Sequence, residues 1–111
     1  LVVTVAGLEV SVDHAPGHTE GSVMFRLPSR DPAAEPGAQT CLSGDVLFAG
    51  SIGRTDLPGG DHTAMQRSIA SKVLPLRDDT VVLPGHGPAT TIGRERASNP
   101  YLQGLAAAHL G

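Results

Sequence analysis

Cys41-Leu42-Ser43-Gly44-Asp45 lies between two loops that each present one histidine. The upstream loop is Ala15-Pro16-Gly17-His18-Thr19-Glu20-Gly21, and the downstream loop is Leu83-Pro84-Gly85-His86-Gly87-Pro88. In all three places an apolar, strand-like run ends at Gly or Pro, and a side chain that can bind a metal follows. Loops held by a rigid scaffold carry much of the chemistry of proteins. The sequence therefore predicts that His18, Asp45 and His86 meet at one edge of a sheet.

These three residues have the chemistry of a metal site, because imidazole and carboxylate both suit divalent transition metals. In two-metal sites the ions lie about 3.5 to 4 Å apart and polarise the same centre. Asp45 is short and exposed by Gly44, so it is the candidate bridge, with His18 and His86 each on one ion. The alternative is that each Pro-Gly-His stretch is only a turn with a surface histidine, and the residues alone leave both interpretations open.

The pattern of apolar residues predicts a mixed α/β fold with a largely antiparallel sheet. The predicted strands are Leu1 to Val5, Leu8 to His14, Ser22 to Leu27, Ala38 to Leu42 and Thr80 to Leu83. A helix is predicted from His62 to Leu74, capped by Asp61 and ended by Pro75. A short helix from Ile92 to Ala97, capped by Thr91, and a last one from Tyr101 to Leu110 follow. Val46 to Gly50 is predicted as an apolar turn and Ser51 to Gly60 as a loop.

Composition narrows the function further. The net charge of -3 is mild and mixed, which argues against a nucleic-acid partner. No apolar run approaches the ~20 residues needed to span a bilayer, so no membrane partner is expected. The single cysteine, Cys41, permits no intramolecular disulfide and fits a cytoplasmic location. The chain starts inside a predicted strand at Leu1 without Met, so we expect it to be part of a longer protein.

Four stretches carry a resemblance to a known family. They are Pro16-Gly17-His18-Thr19-Glu20-Gly21-Ser22, Ser43-Gly44-Asp45-Val46-Leu47-Phe48, Gly53-Arg54-Thr55-Asp56-Leu57-Pro58-Gly59-Gly60 and Pro84-Gly85-His86-Gly87-Pro88. In this order they resemble the metallo-β-lactamase superfamily, and within it glyoxalase II (hydroxyacylglutathione hydrolase), especially the short bacterial branch. The resemblance runs from about Leu8 to Leu102.

The resemblance implies an αβ/βα sandwich with a dinuclear metal site at one edge of its sheets. His18 matches a histidine ligand of the first metal, Asp45 the bridging aspartate and His86 a histidine ligand of the second. The implied ions are two divalent metals, zinc first, with iron or manganese as alternatives. A metal-bridging hydroxide would attack a small-molecule thioester. Arg54 matches the stretch that binds a substrate carboxylate, the alternative being that it only pairs with Asp56.

The family signature His-x-His-x-Asp-His, which supplies four ligands, has no counterpart here. Residues 1–111 therefore resemble the C-terminal half of the domain only, and the missing N-terminal half is an expected partner. We expect metal binding to be incomplete or absent in this chain alone, and the chain alone to be inactive. Half of a sandwich exposes an apolar sheet face, so a homo-oligomer or an unstable chain is also expected.

Two other functions stay open at this level. A persulfide dioxygenase that uses one iron also carries a Gly-Arg-Thr-Asp string, here Gly53 to Asp56, though Leu57-Pro58 departs from it. A non-catalytic binding or assembly module, which has lost its metal half, is the alternative from another class.

Overall fold

The computed structural model describes residues 1–110, with side chains described as far as Leu105. The strands in this range are β1 Val2–Val5, β2 Leu8–His14, β3 Val23–Pro28, β4 Gln39–Gly44, β5 Leu47–Phe48, β6 Ser51–Ile52, β7 Val81–Pro84 and β8 Thr90–Thr91. The helices are α1 His62–Ser68, α2 Ile92–Ser98 and α3 Pro100–Leu110, and a π-helical segment, Ile69–Val73, continues α1. In this range no helix is both long and apolar enough to cross a membrane.

One sheet organises the fold, with strand order β1-β2-β3-β4-β7-β8. Neighbouring strands are antiparallel except β4 and β7, which are parallel. The connection between β4 and β7 carries the small β5–β6 hairpin, α1 and the π-helical segment. This arrangement confirms the prediction of a mixed α/β fold with a mostly antiparallel sheet.

The core lies between one face of the sheet and the helices. Strand residues Met24, Cys41 and Val82 are buried there, together with Met65 and Ile69 from the helical layer. Burial raises the pKa of the Cys41 thiol to about 11, helped by the nearby charge of Asp13. The thiol is therefore neutral at physiological pH and packs as a small apolar group.

The opposite face of the sheet carries a row of apolar side chains that nothing in the described residues covers. Val12 pairs with Phe25, Phe25 with Leu42, and Leu42 with Leu83, so all four lie on the same side. Phe25, Leu42 and Leu83 are 38%, 36% and 41% exposed. We call this row the open sheet face; its exposure agrees with the expectation of half a sandwich.

Two local details differ from the sequence prediction. The apolar turn at Val46 to Gly50 is part of a hairpin, in which Leu47 pairs with Ile52 and Phe48 with Ser51. Strands of two residues are too short to show an alternating pattern. The predicted helix ends near Pro75 as expected, but from Ile69 it is π-helical, with the Leu74 amide donating to the Ile69 carbonyl at 2.9 Å. Side-chain periodicity does not distinguish the two helix types over one turn.

Candidate metal centre

The parallel pairing of β4 and β7 brings Asp45 and His86 to the same end of the sheet. Both strands run towards this edge, and the Gly85 amide donates to the Gly44 carbonyl at 2.8 Å just beyond their last pair. The register shifts between Leu42 and Gly44, and Gly44 takes a positive φ of 53°. Glycine adopts this conformation at little cost. The bend directs the chain off the sheet and leaves the Asp45 carboxylate exposed at its edge.

His18 and His86 lie beside different oxygens of the Asp45 carboxylate. The Nε2 atom of His18 is 3.5 Å from Asp45 Oδ2, and the Nδ1 atom of His86 is 3.6 Å from Asp45 Oδ1. The three residues singled out from the sequence are thus neighbours, although 27 and 41 positions separate them along the chain.

These separations fit a metal site that the chain supplies in part. Ligand atoms bound about 2.0 to 2.1 Å from a tetrahedral ion lie about 3.3 Å from each other. One imidazole on each carboxylate oxygen corresponds to one imidazole on each of two ions, with Asp45 between them. Within the described part of the chain, however, no group of three His, Cys, Asp or Glu side chains converges on a single point. The set therefore fits two ions with two ligands each, which is fewer than a stable site needs.

A backbone hydrogen bond holds the imidazole of His18. Its Nδ1 atom lies 2.9 Å from the Arg54 carbonyl oxygen. A carbonyl can only accept, so Nδ1 carries a proton, and in the neutral ring the lone pair is on Nε2, beside Asp45. This is the tautomer that a metal ligand needs, and such bonds commonly orient ligating histidines.

His86 is held by an aromatic contact instead. The Phe48 ring lies against its imidazole, with centroids 4.6 Å apart and planes tilted by 36°. The His86 side chain is otherwise 77% exposed. The contact with Phe48 therefore restricts an imidazole that solvent would leave free to rotate.

The three residues line one end of a cleft of about 480 Å³. Its other walls are mostly apolar and come from the β5–β6 hairpin and from Pro88 in the second histidine loop. Arg54 is the charged residue at its rim. The lining residues are His18, Asp45, Phe48, Ala49, Ser51, Ile52, Gly53, Arg54, His86, Gly87 and Pro88.

Arg54 also forms an ion pair with Asp56 in the same loop. Its Nε and Nη2 atoms lie 2.8 and 2.9 Å from the two carboxylate oxygens. The hydrogen bonds from Arg54 lower the pKa of Asp56 to about 2. The pair uses two of the five N–H donors of the guanidinium, so bracing the loop does not prevent Arg54 from binding an anion.

Other polar side chains lie around the loops. The Thr19 hydroxyl is 2.8 Å from that of Ser22, and the buried Ser43 hydroxyl donates to the Leu47 carbonyl at 2.8 Å. The His14 ring is 2.7 Å from the Glu20 carbonyl, a contact across the base of the first histidine loop. His62 is exposed at the start of α1.

Sequence reasoning missed the residues that hold the imidazoles, Phe48 and the backbone of Arg54. It also missed Glu95, a buried carboxylate on α2. One signal was available for Glu95, because it follows Ile92 by three positions and so shares the apolar side of the short helix.

Comparison with known proteins shows which family and which relatives this chain is similar to. The family model described as Metallo-beta-lactamase superfamily matches residues 2–86. An uncharacterized protein of Mycobacterium tuberculosis is 50% identical over 104 residues, covering 94% of this chain and 45% of the relative. Hydroxyacylglutathione hydrolase GloC of Haemophilus influenzae is 43% identical over 101 residues, covering 91% and 44%. The chain thus spans less than half the length of these relatives.

Three solved structures have the same fold. BLEG-1 B3 metallo-beta-lactamase superposes with a TM-score of 0.77 at 48% identity, covering 91% of this chain and 44% of that one. ETHE1 from Myxococcus xanthus gives 0.79 at 30% identity, covering 94% and 44%. TTHA1623 in a di-iron-bound form gives 0.69 at 44% identity, covering 90% and 45%.

Proposed function

Because this chain belongs to the metallo-beta-lactamase superfamily, we propose that it is part of a metal-dependent hydrolase of thioesters. His18, Asp45 and His86 are its share of a two-metal site. The observation that carries the proposal is the placement of one imidazole beside each oxygen of Asp45. A relative at 43% identity is named for the hydrolysis of a hydroxyacylglutathione, which is a thioester.

Each residue of the site has a separate task. His18 would bind a metal through Nε2, since the Arg54 carbonyl holds the proton of the neutral ring on Nδ1. Asp45, with one imidazole beside each of its oxygens, would supply negative charge to both ions, and His86 would be the ligand on the Oδ1 side of the carboxylate. When bound, divalent ions lower the pKa of water towards neutrality and polarise a carbonyl group.

The cleft favours a substrate with an apolar part next to the site and an anionic part at the rim. Phe48, Ile52 and Pro88 supply apolar walls, and Arg54 supplies a cation. The free N–H donors of Arg54 suit a carboxylate of the thiol moiety. Pairing with Asp56 restrains the guanidinium within the loop.

The remaining ligands and the cover for the open sheet face come, we propose, from the missing N-terminal half of the domain. Relatives are more than twice as long as the matched region, and each ion has only two ligands from this chain. Without that half, two copies of the chain would pair through the same apolar face. Zinc is the first candidate for the metal, and the di-iron form of TTHA1623 supports iron as the alternative.

The test is metal analysis and thioester hydrolysis by the whole natural polypeptide. We expect two metal ions per molecule and hydrolysis of a 2-hydroxyacyl thioester of glutathione. The change Asp45→Asn should remove at least one ion and lower kcat by a factor of 100 or more. His62→Ala is the matched control, because His62 is exposed and lies outside the cleft. One iron with oxygen consumption on a persulfide would favour the dioxygenase, and no metal would favour the assembly module.

A further inference from the structure

A buried carboxylate lies on the helix behind the cleft. Glu95 of α2 is 1% exposed. It accepts hydrogen bonds from the Gly50 amide at 2.7 Å, the Thr90 hydroxyl at 2.6 Å and the Asn99 side-chain amide at 3.0 Å. Burial by itself raises the pKa of this carboxyl, but the three donors outweigh it and the pKa lies below its ordinary value. The group is therefore charged at neutral pH.

Burying a charge is unfavourable, so the contacts of Glu95 indicate what the charge stabilises. Thr90 and Asn99 adjoin α2 itself. Gly50 is different, because it lies 45 positions earlier in the chain, in the turn between β5 and β6. Asn99 adds a second bond to the same turn, from its Nδ2 atom to the Ser51 carbonyl at 3.1 Å. Two consecutive residues of the hairpin turn are thus bonded to buried side chains of one helix end.

The anchored hairpin contacts the imidazole of His86, and the segment that follows it contacts the imidazole of His18. Phe48, two residues before Gly50, lies against His86. The strand that leaves the turn leads through Gly53, whose amide donates to Val46 at 3.0 Å, to the Arg54 carbonyl that accepts from His18. The chain on either side of the anchored turn therefore has one contact to each histidine, through Phe48 before the turn and through Arg54 just after the hairpin.

We propose that Glu95, together with Asn99, is a positioning pair that sets both histidines of the site through the β5–β6 hairpin. Neither side chain lines the cleft, so neither is a catalytic residue. The functional meaning of this positioning rests on the proposed function, because it assumes that the two histidines bind metal. The mechanical link itself, from α2 through the hairpin to the two rings, is independent of whether a metal binds.

The alternative is that Glu95 only stabilises α2 and the core. A positioning role and a purely stabilising role predict different effects of substitutions at position 95 on the NMR signals of the His86 ring. A glutamine at position 95 keeps an oxygen for Gly50 and Asn99, and its amide donates to the Thr90 hydroxyl, which can turn to accept. Aspartate keeps the charge but is one methylene shorter and draws the carboxylate away from Gly50.

The experiment measures histidine ring signals by NMR in the metal-free whole polypeptide. Glu95→Ala and Glu95→Asp should reduce the ring-current shift of His86 caused by Phe48 by at least half, and weaken the nuclear Overhauser contact between the two rings. Glu95→Gln should retain both signals. Val73→Ala is the matched control, because Val73 is buried in the π-helical segment and its truncation opens a cavity in the core without removing a hydrogen bond of the hairpin.

The result that overturns the proposal is an unchanged His86 environment in Glu95→Asp, or an equal change in Val73→Ala. If Glu95→Ala does not fold, Glu95→Asp and Glu95→Gln still decide the matter. Zinc titration of the same variants separates the two proposals. Intact ring contacts in a wild-type polypeptide that binds neither zinc nor iron would contradict the metal site and leave the positioning link standing.

Discussion

Gly53 packs directly against the backbone carbonyl of Asp45, and a side chain at position 53 would overlap that oxygen. The same added carbon would also lie 3.4 Å from the Cβ atom of His18. A residue without a side chain therefore lets the segment that leaves the hairpin approach the backbone of Asp45 closely. This contact brings the segment that ends in the Arg54 carbonyl, which accepts from His18, against the backbone of Asp45.

We expect Gly53→Ala to separate these two segments. The overlap is with backbone, which yields less than a side chain, so the substitution should lower the free energy of unfolding by about 1 to 3 kcal/mol. It should also weaken zinc binding by the whole polypeptide by at least tenfold, measured by competition with a chelator. Gly104→Ala is the control, because an added carbon there meets nothing within 4 Å. Equal zinc affinity in both variants would contradict the role of Gly53.

The composition of the site could be predicted from sequence because its residues follow strand ends. An apolar run that ends at Gly or Pro precedes each of His18, Asp45 and His86. Such junctions can be recognised in the amino-acid sequence alone. The pairing of β4 with β7 then places two of them at one edge. The open sheet face was expected from the resemblance to half of a sandwich, and Val12 of β2 lies on it opposite Phe25.

What holds the site could not be predicted in the same way. The bond from Gly50 to Glu95 spans 45 positions, and the bond from His18 to Arg54 spans 36. Such contacts depend on tertiary packing and produce no repeating pattern of residues in the sequence. The face of β3 was ambiguous for a related reason: Val23, Phe25 and Leu27 form the more apolar alternation, yet Met24 enters the described core.

The open sheet face gives a second prediction. If the missing N-terminal half covers Leu42, then Leu42→Lys buries a charge and should destabilise the whole polypeptide by about 3 kcal/mol. In the isolated chain the same change should instead favour the monomer, because it interrupts the apolar row. Unfolding in urea and light scattering measure the two effects. Leu57→Lys is the control, since Leu57 is 47% exposed in a loop and should change stability by about 0.5 kcal/mol or less.

The pair formed by Arg54 and Asp56 gives a third prediction. Arg54→Gln removes the hydrogen bonds that lower the pKa of Asp56, so this pKa should rise from about 2 towards its ordinary value of 3.8. An NMR titration of the carboxyl carbon measures it. Arg77→Gln, which breaks a pair of the same spacing with Asp79, should leave the titration of Asp56 unchanged.

The same variant tests the binding role of Arg54. Its carbonyl, which orients His18, is retained in Arg54→Gln, so metal content should not change. We expect KM for a thioester with an anionic thiol moiety to rise about tenfold, with kcat nearly constant. Loss of metal would mean that the side chain, and not only the backbone, supports the site.

The last prediction concerns acid stability and Glu95. The pKa of this carboxyl is lower in the folded chain than its ordinary value of 4.5, so the folded state binds its proton more weakly than the unfolded state. The charged group therefore stabilises the fold above about pH 4.5, and this contribution is lost as the pH falls through the folded-state pKa. Glu95→Gln has no such group. The difference in free energy of unfolding between wild type and Glu95→Gln should shrink as urea titrations move from pH 7 to pH 3.

Glu9→Gln, at an exposed position of β2, should keep the acid response of the wild type. Parallel acid responses of wild type and Glu95→Gln would show that the buried carboxylate is not the group that titrates.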